Sequence, residues 1–373
     1  MNYYPSIRTT SAELKAINNC SKLKESPNVI PIVQLTKARL SRTDSTKALD
    51  NHIERIFNNF GKDKAVIFTV TDDETFQDAN IHEFINDHTD GYVLWRNRLN
   101  EIKENYNSNI IPCVVGIGQA SQHTLEDLKK QISFLARDFK KIAIILPMNL
   151  TDDISMFHEA YKLLNLQSVE EKLNVIIDFK YIPPSDQNYF QGKLKNLSES
   201  FKKNKYSFNA ISLFSSCPPT FDVISKNNFN LEEKSMIEYS IAKHIKQYKN
   251  LNYGDYCYIH PQRLEGGGFW YPRVDYPSIN NTCYYMRMFN KSPYRDDNGK
   301  LKIETTTPNN EAYIAISKNI TAYKFIQEDT LQSWGRTQLI NNAAGSIEGK
   351  SPQHYIAIRA NIHLERIIQI IDH

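Results

Sequence analysis

"IIPCVVGIGQASQHTLEDLKKQISFLARDFKKIAIILPM", residues 110–148, sets two apolar runs on either side of a helical stretch. In "IIPCVVG" (110–116) and "IAIILPM" (142–148) the apolar residues follow one another without alternating, as they do in strands covered on both faces. Between them Leu125, Leu128, Ile132, Leu135 and Phe139 recur at intervals of three and four and form one apolar stripe. Thr124 and Asp127 have the spacing of a capping box. Strand, helix and strand in this order make a βαβ unit, whose strands lie parallel.

Working outward, similar runs occur at 30–35, 65–70, 173–179, 209–215, 256–260 and 282–289. Weaker helical patterns fall at about 46–59, 76–87, 153–166, 190–204 and 231–248. Eight strand candidates alternating with helices favour an α/β fold of the (β/α)8 type, a TIM-barrel-like domain over 1–290, rather than an open doubly wound sheet. After the charged, turn-rich "KSPYRDDNGK" (291–300) the pattern changes to helices near 310–326, 328–343 and 352–371. A helical C-terminal region, 291–373, packed on the barrel is expected. Its last helix opens on Ser351, a capping residue, and Pro352, whose missing N–H costs nothing in the first turn.

The 373 residues suffice for a large core, and a hydrophobic fraction of 40% speaks against disorder. With 45 basic against 42 acidic residues the net charge is +3, so any basic binding face must be local. No apolar stretch approaches the roughly 18–20 residues needed to span a bilayer. "MNYYPSIRTT" lacks the run of a signal peptide, and a cytoplasmic protein without membrane contact is expected. The five cysteines include no Cys-x-x-Cys pair and read as reduced, buried residues.

"YYPSIRTTSAELKAI" (3–17), "VIPIVQL" (29–35), "IIDFK" (176–180), "SLFSSCPP" (212–219), "YGDYCYIHPQRLEGGG" (253–268), "NTCYYMRMF" (281–289), "SWGRTQ" (333–338) and "HYIAIRANIHLERI" (354–367) stand in an order that resembles the phage "beta protein" family and its bacterial relatives. The pattern falls on Tyr4, Pro5, Glu13, Leu14, Asp178, Ser216, Pro218, Gly254, Asp255 and Tyr256. Where members close with a Trp-Arg and a His-His pair, this chain has Tyr355, Arg359 and a single His363 after Ile362. The resemblance implies a component of a phage-related or antiphage defence module. Its bacterial relatives are often encoded beside a PD-(D/E)XK-class nuclease, which makes such a nuclease from the same operon a partner to expect.

In a barrel, functional groups sit on loops after the C-terminal ends of strands. Asp72, Asp73 and Glu74 follow the second run and Asp178 and Lys180 the fifth. Asp72, Asp73 and Asp178 could together hold Mg²⁺ or Mn²⁺, or the first three acids could simply favour a helix N-terminus. Asp178-x-Lys180 also has the form of half a PD-(D/E)XK site, with Asp178 on the metal and Lys180 on the phosphate or attacking water. That reading is a metal-dependent phosphodiesterase or nuclease. The other is recognition of a partner protein or nucleic acid by barrel-top loops. Arg263, Gly266, Gly267, Gly268, Trp270, Tyr271 and Arg273, with Asp255 and Ser216 nearby, combine cations, aromatic faces and glycines that bring backbone close to a ligand. Tyr253-Gly254-Asp255 reads as a turn entering a strand. Arg359 and His363, four apart on the last helix, read as a phosphate clamp or a solvated basic face.

Overall fold

A computed structural model of the chain describes residues 1–38, 45–119, 124–220, 227–262, 270–298 and 300–372. Its strands are β1 (Tyr3–Arg8), β2 (Ile32–Leu35), β3 (Val66–Val70), β4 (Ile110–Pro112), β5 (Ile142–Pro147), β6 (Leu173–Tyr181), β7 (Asn209–Ser215), β8 (Leu231–Ser235), β9 (Asn252–Asp255), β10 (Arg273–Ser278), β11 (Thr282–Arg287), β12 (Lys291–Arg295) and β13 (Leu301–Thr305). Eight of them form one sheet in the order β4-β3-β2-β1-β9-β7-β6-β5. Every pairing in it is parallel, and a parallel bridge from Cys113 to Ala143 joins its two edges. The expected TIM-barrel-like sheet is therefore present and nearly closed.

Two of the eight strands differ from those expected. The first, β1, carries Pro5, Ser6 and Arg8 and so lacks an apolar run. The last, β9, ends where residues 256–260 were expected to begin a strand, and Tyr253-Gly254-Asp255 lies inside it. Gly254 is there for packing, since a Cβ would stand 2.9 Å from the Tyr4 carbonyl on the neighbouring β1. Residues 282–289 lie outside the barrel. Here β11 pairs antiparallel with both β10 and β8. The helix expected over 231–248 accordingly divides into β8 and Glu238–Ile245.

Residues two apart share a face of a strand, and this divides the barrel interior by height. Ile32, Ile67, Ile111, Ile176 and Ile211 belong to one buried apolar cluster with Tyr4. Two residues further toward the C-terminal ends stand Gln34, Thr69 and Asp178. The upper interior is thus polar, and the Gln34 amide nitrogen donates to the Ser6 hydroxyl across 2.8 Å.

Helices cover the outside, among them Ser45–Phe60, Leu125–Asp138 and Gln187–Lys203. Leu128, Ile132 and Leu135 are buried as their spacing predicts, but Thr124 makes no side-chain capping bond because its backbone is already right-handed helical. Beyond the β12–β13 hairpin come the C-terminal helices Asn309–Thr321, Lys324–Gln327, Trp334–Ala343 and Pro352–Asp372. A second core joins this region to the small antiparallel sheet, with Val274, Tyr276 and Met286 packed among Tyr313, Ile316, Leu339 and Ile358.

Candidate functional site

At the C-terminal mouth of the barrel Asp178 and Asp72 converge, and they meet on a cation the chain itself supplies. Lys180 Nζ lies 2.8 Å from Asp178 Oδ2 and 2.6 Å from Asp72 Oδ2. The Tyr256 hydroxyl donates to Asp178 across 2.7 Å. Lys180 takes a left-handed backbone with φ 56°, a strain of roughly 1–2 kcal/mol for a residue with a Cβ. In that conformation its amide donates to Asp178 Oδ1 at 3.0 Å. Burial works against the ammonium, but Tyr256, Asp178 and Asp72 outweigh it and hold the Lys180 pKa well above the ordinary lysine range. The Tyr256 hydroxyl is pushed far up by burial and by Asp178. Asp178 is buried, whereas the side chain of Asp72 is 67% exposed.

Asp73 turns the other way. It accepts from the Thr75 amide at 3.0 Å and caps the short helix Glu74–Phe76, and its second oxygen lies 3.8 Å from Arg8. A Mg²⁺ or Mn²⁺ bound by Asp72, Asp73 and Asp178 would need these carboxylates to face one empty position. Two of them face the Lys180 ammonium, and the third is a cap. Among the described residues no group of three His, Cys, Asp or Glu side chains is arranged to hold a metal. As it stands, this arrangement does not fit the metal.

Asp255 and Ser216 lie inside the protein. Asp255 accepts from the Tyr3 hydroxyl (2.9 Å), the Tyr253 hydroxyl (2.6 Å) and the Cys257 amide (2.8 Å), and pairs with His363 Nε2 (2.8 Å). Burial alone would raise its pKa, but His363 and these donors hold it below the usual carboxylate range. Ser216 donates its hydroxyl to Glu238 at 2.5 Å and its amide at 2.7 Å. Burial pushes the Glu238 carboxyl up.

The last helix corrects the reading of Arg359 and His363 as a solvated face or an accessible clamp, because both are buried. Arg359 reaches Asp275 at 2.7 Å, and Arg366 of the same helix pairs with Asp329. The acids that neutralise this helix lie far away in the sequence, so local spacing could not reveal them.

Trp270, Tyr271 and Arg273 line a cleft of about 300 Å³ together with Arg287, Tyr313 and Tyr355. Trp270 is 38% exposed. The Lys291 ammonium stands 4.1 Å from its ring centroid, and Tyr313 and Tyr355 stack behind it with centroids 3.7 Å apart. Arg273 is bidentate to Asp275, at 2.6 and 2.9 Å. Burial is again outweighed there, and Arg273 and Arg359 hold the Asp275 carboxyl low. Arg263, Gly266, Gly267 and Gly268 lie outside the described residues. The structure thus separates the expected site residues into a mouth group, a buried knot and a cleft. Sequence reasoning missed Tyr256, Gln34 and Asp275 in these roles. The available signal was polar residues at alternating positions near strand ends, as in Ser6, Gln34 and Thr69.

No helix among the described residues is long and apolar enough to cross a membrane. The chain is 26% identical over 379 residues to "Protein beta" of Enterobacteria phage P4, an alignment covering 99% of this chain and 93% of that protein. A solved structure of a mutant form of Thermotoga maritima Cel5A with a cellobiose substrate is similar at a TM-score of 0.41 and 13% identity, over 71% of this chain and 90% of that one. The model of the family described as "Beta protein" matches residues 3–369, and the chain belongs to that family.

Proposed function

We propose that this chain is a recognition component of a phage-related or antiphage module, and that the cleft around Trp270 takes a segment of nucleic acid. The observation that carries the reading is the half-exposed Trp270 ring. A lysine ammonium stands above it, and arginines share the cleft with two further stacked rings. Aromatic faces suit bases of any sequence, and cations suit phosphates. A nuclease partner from the same operon would supply the chemistry, with this chain supplying the address.

The test is binding of a labelled single-stranded oligonucleotide. Trp270→Ala should weaken it by at least about 1 kcal/mol, since a stacked base is worth roughly 1–3 kcal/mol, and wild-type affinity should fall as salt rises. Tight, salt-insensitive binding of a partner protein instead would move the cleft to protein recognition. A lower melting temperature with unchanged oligonucleotide binding would make Trp270 a packing residue and end the proposal.

One observation favours a second reading, a Mg²⁺- or Mn²⁺-dependent phosphodiesterase or nuclease: Asp72 and Asp178 do converge at the barrel mouth. It requires Lys180 to leave them for the substrate. Metal-stimulated cleavage by the wild type, lost in Asp178→Asn, would establish it.

A further inference from the structure

The β12–β13 hairpin leaves the body of the protein beside the Trp270 cleft, and its strands form a two-stranded sheet of their own. Among the described residues none of this ribbon belongs to a hydrophobic core, and Tyr294 and Ile303 are exposed. A two-stranded ribbon is at best marginally stable by itself, so its position has to be fixed at the root. Asn290, which is fully buried, does this. Its side-chain amide donates to the Thr307 carbonyl at 2.8 Å and to Asn309 Oδ1 at 3.0 Å, and its own carbonyl accepts from the Thr306 amide at 2.9 Å. At the far end Asp296 closes the turn by accepting from the amides of Asn298 (3.1 Å) and Lys300 (2.9 Å). We propose that this rooted arm extends the Trp270 cleft, and that a single strand of nucleic acid held at Trp270 continues along it; the inference rests on the nucleic-acid reading of that cleft.

The register decides which side chains such a strand would meet. Residues two apart share a face, and Lys291 stands opposite Thr305 while Tyr294 stands opposite Lys302. Lys291, Arg295, Ile303 and Thr305 therefore share one face, on which no strand residue is acidic, and Glu304 lies on the other with Tyr294 and Lys302. The first face is turned to the cleft at its root. Lys291 places its ammonium 4.1 Å from the Trp270 ring centroid and donates to the Trp270 carbonyl at 2.8 Å. Among the described residues that ammonium meets no carboxylate, so its charge is left for a phosphate. Arg295 is exposed on the same face four residues on, about 14 Å further along a strand. Cations on one face, with the acids kept to the other face and the tip, suit a polyanion lying along the arm. A protein segment added to the ribbon's edge would pair with its backbone instead and would be indifferent to the Arg295 side chain.

The experiment measures binding of labelled oligothymidylates to the full chain, one of about three nucleotides, which the cleft alone would hold, and one of about twelve. The wild type should bind the longer strand about tenfold more tightly, through the added phosphate contacts. Arg295→Gln should lower the slope of log affinity against log salt by about 0.7 for the longer strand only, the share of one phosphate contact on a single strand, and Arg295→Lys should restore it. A chain in which a pair of glycines replaces residues 292–304 should lose the length dependence and keep its melting temperature. If that chain does not fold, the Arg295 variants still decide. The inference is overturned, and the cleft reading left standing, if Trp270→Ala weakens both strands while the wild type binds both lengths alike or Arg295→Gln leaves the slope unchanged. If Trp270→Ala affects neither strand, the cleft reading falls and this inference with it.

Discussion

Asp178 at the end of β6 and Asp255 at the end of β9 are built on one local plan. Each is buried, accepts a tyrosine hydroxyl, and accepts the amide two residues on, where the chain is left-handed: φ 56° at Lys180 and 52° at Cys257. Each meets a nitrogen base or cation. They differ in what lies beyond that partner. Behind Asp255 stands His363 on the last helix, with both side chains fully enclosed. Beyond Lys180 stands Asp72, two-thirds exposed at the edge of a barrel-mouth cavity of about 290 Å³. Enclosing both members of such a pair makes a structural tie, whereas enclosing only one leaves a polar end that a ligand can compete for.

The comparison is broken most readily at the enclosed end. Asp255→Asn should cost about 3–5 kcal/mol in chemical denaturation, the range for removing one partner of a buried pair; a loss below about 1 kcal/mol would mean the knot is not a tie. The same carboxylate sets an acid limb. The pKa values of Asp255 and Asp275 are held below the ordinary carboxylate range in the folded chain, so their stabilisation is complete above the unfolded value of about 3.9 and disappears as pH falls through the lower folded value. Stability measured from pH 6 downward should fall less steeply in Asp255→Asn than in the wild type.

At the open end the effects should shrink. Lys180→Met leaves Asp178 without its ammonium, yet water can enter from the cavity, so about 2 kcal/mol is expected. A loss equal to that of Asp255→Asn would erase the distinction drawn here. Asp72→Asn should change stability by less than about 1 kcal/mol, as exposed pairs do. A larger fall in melting temperature would mean that Asp72 holds the mouth together.

Much of the barrel was legible because burial on both faces leaves an unmistakable trace in runs such as "IAIILPM" and "NVIIDF". What escaped was legible only in three dimensions. Strand β1 hides because its inward positions Ser6 and Arg8 belong to the polar upper interior. Gly254 resembles a turn residue because the need for it comes from a chain segment some 250 residues away. The mouth acids were identified from their places after strands. That Lys180 would occupy the point between two of them depends on a left-handed residue, which an Asp-x-Lys triplet does not announce. The buried charges of the last helix likewise needed partners from β9, β10 and Asp329 to be understood.

Strand β1 takes β2 on one side and β9 on the other. During vectorial synthesis at roughly 5–20 residues per second, the side meant for β9 therefore waits on the order of tens of seconds. Until then Tyr3–Arg8 presents a row of open backbone groups to any other nascent strand. Its proline and arginine make a poor template for indiscriminate pairing, a protection that a smoother run of valines would lack. The polar residues that hid this strand from the sequence reading also keep it available until its partner has been made.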